Sequence, residues 1–239
     1  GAGVNVYDLG ATATPVTRQA VVALEAAAGI QLRVSPFALE NILVEFFDAQ
    51  GLIINRAAER KVEQTFFAEE FRRAAFDRMG QVRIIGDFSA RYIENILKAT
   101  DWEAIRAARF KAVIGADAAD GPLGSLLTTV LTALGCETVT FQPGTACSFR
   151  TVKEIREACL PSLGEQVRRE RADLGVLLVS NGECLVLVDE EGAVVEEEQF
   201  TALLSLLVLK YGEAAKIPLP VTAPLFIEDV IRANQGEVV

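Results

Sequence analysis

The segment that most constrains the fold is residues 172–192, which read ADLGVLLVSNGECLVLVDEEG. It contains two short apolar runs, Leu174 to Val179 and Leu185 to Val188, separated by a polar turn that includes Gly182. Two runs rich in Val and Leu with such a turn between them predict a β-hairpin. Because the runs are almost continuously apolar, we expect both faces of the hairpin to be covered, as in an α/β layered fold.

The preceding sequence alternates between strand-like and helix-like segments. A strand at 4–9, a helix at 16–28 and a strand at 30–34 predict a β-α-β unit with parallel strands. Thr14 and Pro15 suit the start of that helix, with Thr14 as N-cap, and Gly29 its end. A second β-α-β unit is predicted from a strand at 110–114, a helix at 126–134 and a strand at 137–141.

The remaining segments extend the same α/β pattern. The stretch 74–86 is interpreted as a connector. Three segments predict strands or hairpins: 44–54, 216–221 and 236–239. Six segments predict helices: 57–73 with a phenylalanine-rich face, 88–98, 102–107 capped by Asp101, 152–171 interrupted near Pro161, 198–211 and 225–233.

Composition excludes several classes of function. The chain of 239 residues has no histidine, which removes Ser-His-Asp catalysis and His-ligated zinc. Its net charge is −10 and its basic residues are scattered among acidic ones, so no nucleic-acid partner is expected. The sequence has no uncharged apolar run of 18 residues, so no membrane partner is expected, and a cytoplasmic location is predicted.

Four cysteines stand at positions 136, 147, 159 and 184. None forms a C-x-x-C pair, which disfavours a zinc ribbon or a thioredoxin-type site. For a cytoplasmic protein we expect all four to be reduced thiols.

The 172–192 segment resembles the metal-binding segment of the α-D-phosphohexomutases, the phosphomannomutase and phosphoglucomutase superfamily. Ala172-Asp173-Leu174-Gly175 and Val188-Asp189-Glu190 match the family text on either side of the loop. The resemblance places the metal-loop residues of the family, three aspartates and an arginine, on Val179, Asn181, Glu183 and Cys184, respectively.

These replacements change the chemistry that the resemblance would otherwise imply. Mg²⁺ prefers oxygen ligands in near-octahedral geometry and some carboxylate charge. Val179 has no oxygen, Asn181 is neutral, and Glu183 is one methylene longer than aspartate. We therefore expect no cofactor, although active relatives use Mg²⁺, and we interpret the hairpin as a scaffold that has lost its metal.

The first half of the chain resembles the same family. The matching residues are Asp8, Gly10, Thr14, Pro15, Gly29, Ile30 and Gly51. The family serine that carries the transferred phosphate falls on Ser35, which is the candidate catalytic residue. The residues around it differ, because the family Thr, His, Asn and Lys fall on Arg33, Pro36, Phe37 and Glu45, respectively.

Two interpretations of Ser35 follow from these differences. A phosphoserine dianion needs a cation beside it, and Glu45 puts a negative charge where the family has a positive one. One interpretation is that Ser35 only caps a turn before Pro36, in a degenerate module without mutase activity. The alternative is an active phosphohexose mutase in which Ser35 carries the phosphate and Glu183, with Asp173 or Asp189, holds a displaced metal.

The resemblance also implies a domain organisation. Residues 1–80 correspond to the later part of domain I, 81–198 to domain II and 199–239 to the start of domain III, each a three-layer α/β/α unit with a mixed, mainly parallel sheet. The first strands of domain I would lie before residue 1. The expected partners are the missing domains of the same polypeptide, and a homodimer or a sugar phosphate are further candidates.

Parts of the chain resemble a bacterial subgroup in which a degenerate mutase-like region follows a sugar-1-phosphate nucleotidyltransferase. The resemblance lies in Gly3-Val4-Asn5-Val6, Arg33-Val34-Ser35-Pro36 and the text from Phe46 to Gly51. It implies a structural or regulatory part of a mannose-1-phosphate guanylyltransferase-type enzyme. A pure interaction module remains a third candidate function. Whether the chain itself is an enzyme is left open by its residues.

Overall fold

The computed structural model gives an α/β fold whose largest sheet is mixed, with both parallel and antiparallel strand pairs. The residues that the structure describes are 2–35, 38, 40–69, 71, 73–86, 88–115, 122–141, 152–179, 182, 184–212 and 216–239.

Helices and strands follow each other along most of these residues. The helices are α1 Thr14–Ala23, α2 Arg56–Ala68, α3 Ser89–Ala99, α4 Trp102–Ala108, α5 Pro122–Ala133, α6 Val152–Glu170, α7 Glu197–Tyr211 and α8 Leu225–Ala233, with a short 3-10 turn at Phe76–Arg78. The strands are β1 Val6–Asp8, β2 Gly29–Val34, β3 Ile42–Phe47, β4 Val82–Ile84, β5 Lys111–Ile114, β6 Glu137–Thr140, β7 Leu174–Val179, β8 Cys184–Val188, β9 Val194–Val195, β10 Lys216–Ile217 and β11 Glu237–Val238.

A five-stranded sheet in the order β6-β5-β7-β8-β9 forms the centre of the second unit. Strand β5 lies between β6 and β7 and runs parallel to both, which confirms the predicted second β-α-β unit. The predicted hairpin is present as β7 and β8, which pair antiparallel. Helix α6 covers one face of this sheet, and Leu163 and Val167 of the helix pack in one buried cluster with Leu177.

Three two-stranded sheets make up the rest: β1-β4, β2-β3 and β10-β11. Strands β1 and β2, predicted as the parallel strands of one β-α-β unit, do not pair with each other. Strand β1 pairs with β4, a strand missed inside the stretch interpreted as a connector, because three residues are too few to show a period. Strand β2 pairs antiparallel with β3 over six residue pairs.

Helix α1 is shorter than its sequence predicts. Ala13 is the N-cap residue and Thr14 is already helical, so the expected Thr14 cap is wrong. The helix ends at Ala23 rather than at Gly29, because Glu25 adopts a left-handed conformation and Ala26 N–H bonds to the Val21 carbonyl. Its buried face packs with Phe88 and Leu126, which ties the first unit to the second.

Several smaller predictions change in the structure. Helix α6 runs through Pro161 without a break. Its neighbours Leu160 and Leu163 are buried, and their burial offsets the roughly 3 kcal/mol that an internal proline costs. The strand predicted at 216–221 is shorter in the structure, where β10 contains only Lys216 and Ile217. The strand predicted at 52–54 is reduced to a single β-bridge between Phe47 and Ile53.

Helix α2 is present where a helix was predicted at 57–73, but it ends at Ala68 and its phenylalanine-rich face is exposed. None of its residues is buried, and Phe66 and Phe67 are 65% and 80% exposed. By contrast, the acidic residues Glu196, Glu197 and Glu198 form the start of α7. Glu196 is the N-cap residue and forms a reciprocal capping box with Gln199.

Candidate functional site

Ser35 follows β2 directly and sits in a tight turn. Its backbone N–H donates to the Asn41 carbonyl at 2.8 Å, and its hydroxyl oxygen accepts a hydrogen bond from the Ala38 N–H at 3.3 Å. The residue is 5% exposed. Pro36 and Phe37 lie outside the described residues. The described geometry is that of a buried serine whose hydroxyl helps to close a turn.

An ion pair between Arg33 and Glu45 lies on the hairpin that leads into this turn. Arg33 Nε donates to Glu45 Oε2 at 2.9 Å and Arg33 Nη2 donates to Oε1 at 2.8 Å, so the contact is bidentate. Both side chains are less than one-fifth exposed. A bidentate pair of this kind neutralises the guanidinium within the hairpin and fixes its orientation.

Polar groups continue along the same face of β2. The Thr17 hydroxyl donates to Gln31 Oε1, and Gln31 Nε2 donates to the Thr12 carbonyl at 3.3 Å. Arg33 Nη1 is buried without a hydrogen-bond partner among the described residues. A buried N–H left unpaired costs about 1–3 kcal/mol, so the unpaired Arg33 Nη1 lowers the stability of the fold.

The second predicted site lies at the tip of the β7–β8 hairpin. Val179 ends β7 and pairs with Cys184, the first residue of β8. Gly182 has a positive φ of 81°, which suits a tight turn between the strands. Asn181 and Glu183 lie outside the described residues. The structure therefore brings Val179 and Cys184 together, whereas Ser35 belongs to a hairpin in a different sheet.

The ligand chemistry at this tip does not suit Mg²⁺. Val179, at the end of β7, offers an aliphatic side chain where the metal-binding relatives are expected to have a carboxylate. Across the part of the chain that the structure describes, no three Cys, Asp or Glu residues are grouped so as to hold a metal ion.

Asp173 and Asp189, the carboxylates of the rearranged-metal alternative, are placed elsewhere. They flank β7 and β8 at the end of the hairpin opposite to its tip, about 20 Å away for a six-residue strand. Asp173 Oδ2 accepts from the Lys111 N–H at 2.8 Å. Asp189 Oδ1 accepts from the backbone N–H of Ala193 at 2.8 Å. Both carboxylates thus accept hydrogen bonds from backbone N–H groups, at the end of the hairpin away from Gly182.

A cluster of charges lies at the start of β5. Lys111 Nζ is 3.1 Å from Glu137 Oε1 and 3.4 Å from Glu170 Oε2. The hydrogen bond to Glu137, followed by that to Glu170, raises the pKa of Lys111 against the opposing effect of desolvation. The cluster joins β5, β6 and α6 and is a structural feature of the second unit.

The cysteines correct one prediction. Cys136 carries a free thiol, and burial raises its pKa. Cys159 is disulfide-bonded, so the expectation of four reduced thiols is wrong.

Two family models match this chain. Residues 1–73 match "Phosphoglucomutase/phosphomannomutase, alpha/beta/alpha domain I". Residues 90–192 match "Phosphoglucomutase/phosphomannomutase, alpha/beta/alpha domain II". The chain belongs to the phosphoglucomutase/phosphomannomutase family. Ser35 thus lies within the domain I match, and the β7–β8 hairpin within the domain II match.

Curated relatives agree with this assignment. The chain is 27% identical over 237 residues to a phosphoglucomutase/phosphomannomutase of Thermococcus kodakarensis, covering 99% of this chain and 51% of the relative. It is 28% identical over 239 residues to a probable phosphoglucosamine mutase of Pyrococcus abyssi, covering 99% and 51%, respectively. The chain spans about half the length of these relatives.

Solved structures support the fold. A phosphoglucomutase/phosphomannomutase family protein from Burkholderia thailandensis superposes with a TM-score of 0.73 at 20% identity, covering all of this chain and 52% of that one. A putative phosphomannomutase from Thermus thermophilus gives a TM-score of 0.76 at 18% identity, covering all of this chain and 54% of that one. These similarities establish the α/β/α domain fold of the family.

Sequence reasoning missed the Arg33–Glu45 pair, although it noted both residues as departures from the family. Opposite charges on two strands that form a hairpin were the available signal, because cross-strand and diagonal neighbours interact.

None of the helices in the described ranges has the length and apolar character that crossing a membrane requires.

Proposed function

We propose that this chain is a phosphohexomutase-like module that does not itself catalyse phosphoryl transfer. The observation that carries this proposal is the bidentate ion pair between Arg33 and Glu45 next to Ser35. A phosphoserine has a charge of nearly −2 at neutral pH and requires a cation that is available to it. The Arg33 charge is already matched by Glu45, so the hairpin offers Ser35 no net positive charge.

The burial of Ser35 also supports this proposal. A serine that carries phosphate between substrates must present its hydroxyl to them. Here the residue is 5% exposed and its oxygen accepts a backbone hydrogen bond. At the family's metal-loop position in the second domain, Val179 has no oxygen that could act as a ligand for a compensating metal.

We further propose that the module serves a sugar-nucleotide enzyme of the mannose-1-phosphate guanylyltransferase type as a structural or regulatory part in the cytoplasm. The support is the resemblance of the 3–6, 33–36 and 46–51 segments to that bacterial subgroup. In this role the hairpin framework is kept for packing, and a sugar phosphate is a candidate ligand for regulation.

The test of the first proposal is a mutase assay on the full-length protein with mannose-6-phosphate and Mg²⁺. We expect no mannose-1-phosphate beyond the amount formed by the Ser35→Ala variant. A Mg²⁺-dependent interconversion that Ser35→Ala abolishes would show an active mutase and overturn the proposal. Glucosamine-6-phosphate should be assayed in parallel, because several relatives are phosphoglucosamine mutases.

The test of the second proposal uses the same protein preparation. We expect full-length protein to form GDP-mannose and pyrophosphate from mannose-1-phosphate and GTP. Failure to form any sugar nucleotide from GTP, ATP, UTP or dTTP would contradict the assignment to such an enzyme while leaving the first proposal intact.

A further inference from the structure

Polar side chains lie along the face of β2 that points toward α1. Gln31 and Arg33 alternate along the strand and Ser35 follows in the same phase, so the three lie on one face. Gln31 accepts from the Thr17 hydroxyl of α1. Ser35 is 5% exposed and the Arg33 side chain 18%. Since burying polar groups is unfavourable unless partners match them, a polar inner face indicates a site rather than a packing surface.

Arg33 has more hydrogen-bond donors than its partner Glu45 uses. Its Nε and Nη2 donate to the two carboxylate oxygens of Glu45, at 2.9 and 2.8 Å. Its Nη1 is buried and has no partner among the described residues. A guanidinium presents five N–H donors in a rigid fork, whereas a carboxylate offers only two oxygens. The contact with Glu45 therefore balances the charge of Arg33 but leaves part of its donor capacity unused.

Glu45 presents to Arg33 the same chemical pattern as a bound phosphate group. Carboxylate and phosphate both bind arginine through two parallel N–H···O contacts. A phosphate monoester has more acceptor oxygens than a carboxylate and a charge of nearly −2 at neutral pH, so it is the stronger partner for the same fork. The resemblance to the family places a Thr and a Lys at these two positions, so the pair is a feature of this chain.

We propose that Arg33 is the recognition residue of a phosphate site beside Ser35, and that Glu45 is an internal competitor that keeps this site closed. A phosphate group displaces the Glu45 carboxylate and takes over its hydrogen bonds from Nε and Nη2. The inference rests on the proposed function, in which Ser35 transfers no phosphate, and it identifies the residue through which a sugar phosphate would regulate the module. The ligand class is a phosphate dianion, either free or as a monoester.

Competition between Glu45 and the ligand sets the affinity of the site. When a ligand binds only the fraction of molecules whose site is open, its apparent affinity falls by that fraction. The Arg33–Glu45 contact is bidentate and both side chains are less than one-fifth exposed, so the open fraction is small. The native protein therefore binds phosphate weakly, and removing the Glu45 charge should strengthen the binding.

Calorimetric titration of inorganic phosphate into the full-length protein tests this proposal. Glu45→Gln keeps the size of the side chain and removes its charge, and it should bind phosphate on the order of tenfold more tightly than the native protein. The matched control is the double variant Arg33→Gln, Glu45→Gln, which should lose this gain. Phosphate bound elsewhere on the polypeptide is common to all three proteins and cancels in the comparison.

A second measurement requires no change at Glu45, and it decides the question if Glu45→Gln does not fold. Phosphate should raise the Tm of the native protein above its value in chloride at equal ionic strength, because a ligand that binds the folded state stabilises it. Arg33→Gln should show a smaller rise, since it lacks the guanidinium that recognises the ligand.

Titration of mannose-1-phosphate into Glu45→Gln distinguishes the two sources of the phosphate group. Tighter binding than that of inorganic phosphate assigns the site to a phosphate ester, and equal binding assigns it to the phosphate group alone. Both results support the site, provided that the double variant loses them.

Equal phosphate affinity of the native protein and Glu45→Gln, or a gain that persists in the double variant, would overturn the proposal. Equal Tm shifts of the native protein and Arg33→Gln would also overturn it. The mutase assay separates this failure from failure of the proposed function. An inactive protein without Arg33-dependent phosphate binding refutes only the phosphate site, whereas an active mutase that Ser35→Ala abolishes refutes the module on which the site rests.

Discussion

Two helix–hairpin units, α1-β2-β3 and α6-β7-β8, share a backbone framework and differ in what lies inside it. Gly29 pairs with Phe47 and lies against Val21 of α1, as Gly175 pairs with Val188 and lies against Val167 of α6. In the second unit, Leu163 of α6 and Leu177 of β7 belong to one buried apolar cluster. The matching positions of the first unit are Thr17 and Gln31, whose side chains hydrogen-bond to each other. The same framework therefore accommodates an apolar contact in one copy and a polar contact in the other.

The difference continues toward the hairpin tips. Glu45, which pairs with Arg33, corresponds to Val186 of β8, which packs on the buried cluster of the second unit. Arg33 corresponds to Val179. The polar interior belongs to the hairpin that leads to Ser35, and the apolar interior to the hairpin in which β7 ends at Val179. Site chemistry can thus change on this framework while the fold persists.

The largest expected effect is on the apolar copy. Leu163→Ala should lower the free energy of unfolding by about 2–5 kcal/mol, because Leu163 is 1% exposed and its truncation leaves a cavity. The matched variant Thr17→Ala should cost less, about 1–3 kcal/mol, since it leaves the Gln31 oxygen without its donor. Urea unfolding of both variants measures the difference, and a Thr17→Ala cost above that of Leu163→Ala would refute the comparison.

Next in size is the ion pair. Glu45→Val alone should cost about 1–3 kcal/mol, because it leaves the poorly exposed Arg33 guanidinium without its partner. Adding Arg33→Val copies the apolar interior of the second unit and should restore most of that loss. Urea unfolding of both single variants and the double variant gives the coupling energy. A double variant as unstable as the sum of the single variants would show that the pair is not coupled.

The shared turns should respond alike. Gly51 and Gly192 have φ values of 71° and 79°, and a Cβ on either would lie within 2.6 Å of a helix carbonyl oxygen, that of Arg18 or Gly164. Gly51→Ala and Gly192→Ala should each cost about 1–2 kcal/mol from the left-handed backbone alone. Thermal unfolding checks this, and a neutral effect at only one turn would break the correspondence between the units.

The smallest effect concerns alkaline pH and only the second unit. Glu137 and Glu170 raise the pKa of Lys111, so the folded state binds the Lys111 proton more tightly than the unfolded state. The resulting stabilisation is present below the pKa of an unfolded lysine and is lost as pH rises through the higher folded pKa. Glu137→Gln should flatten the decline of Tm over that alkaline interval, and an unchanged pH profile would contradict the assignment.

Much of this fold could be predicted from the sequence, and the reasons are local. The β7–β8 hairpin was predicted because Val and Leu runs flank a Gly-containing turn. Strand β4 could not be found, since Val82–Ile84 is too short to show a period. The early end of α1 depends on Glu25 taking a left-handed conformation, which its sequence does not signal.

The sequence predicted which residues belong to the candidate site but not the contacts that these residues make. The resemblance placed Ser35, Val179 and Cys184, and the structure shows the backbone pairing of the last two. That Arg33 and Glu45 bind each other required the register of β2 against β3, which depends on tertiary pairing. The distance of Asp173 and Asp189 from the hairpin tip likewise depends on how β7 pairs with β8.

We propose that this chain does not bind magnesium at the tip of β7–β8. Calorimetric titration of Mg²⁺ into the chain, and into a variant carrying Val179→Asp, Asn181→Asp and Glu183→Asp, tests it most directly. We predict no saturable heat for the native chain and measurable binding for the variant, whose three carboxylates restore oxygen ligands. Saturable binding by the native chain that these three substitutions do not strengthen would contradict the account.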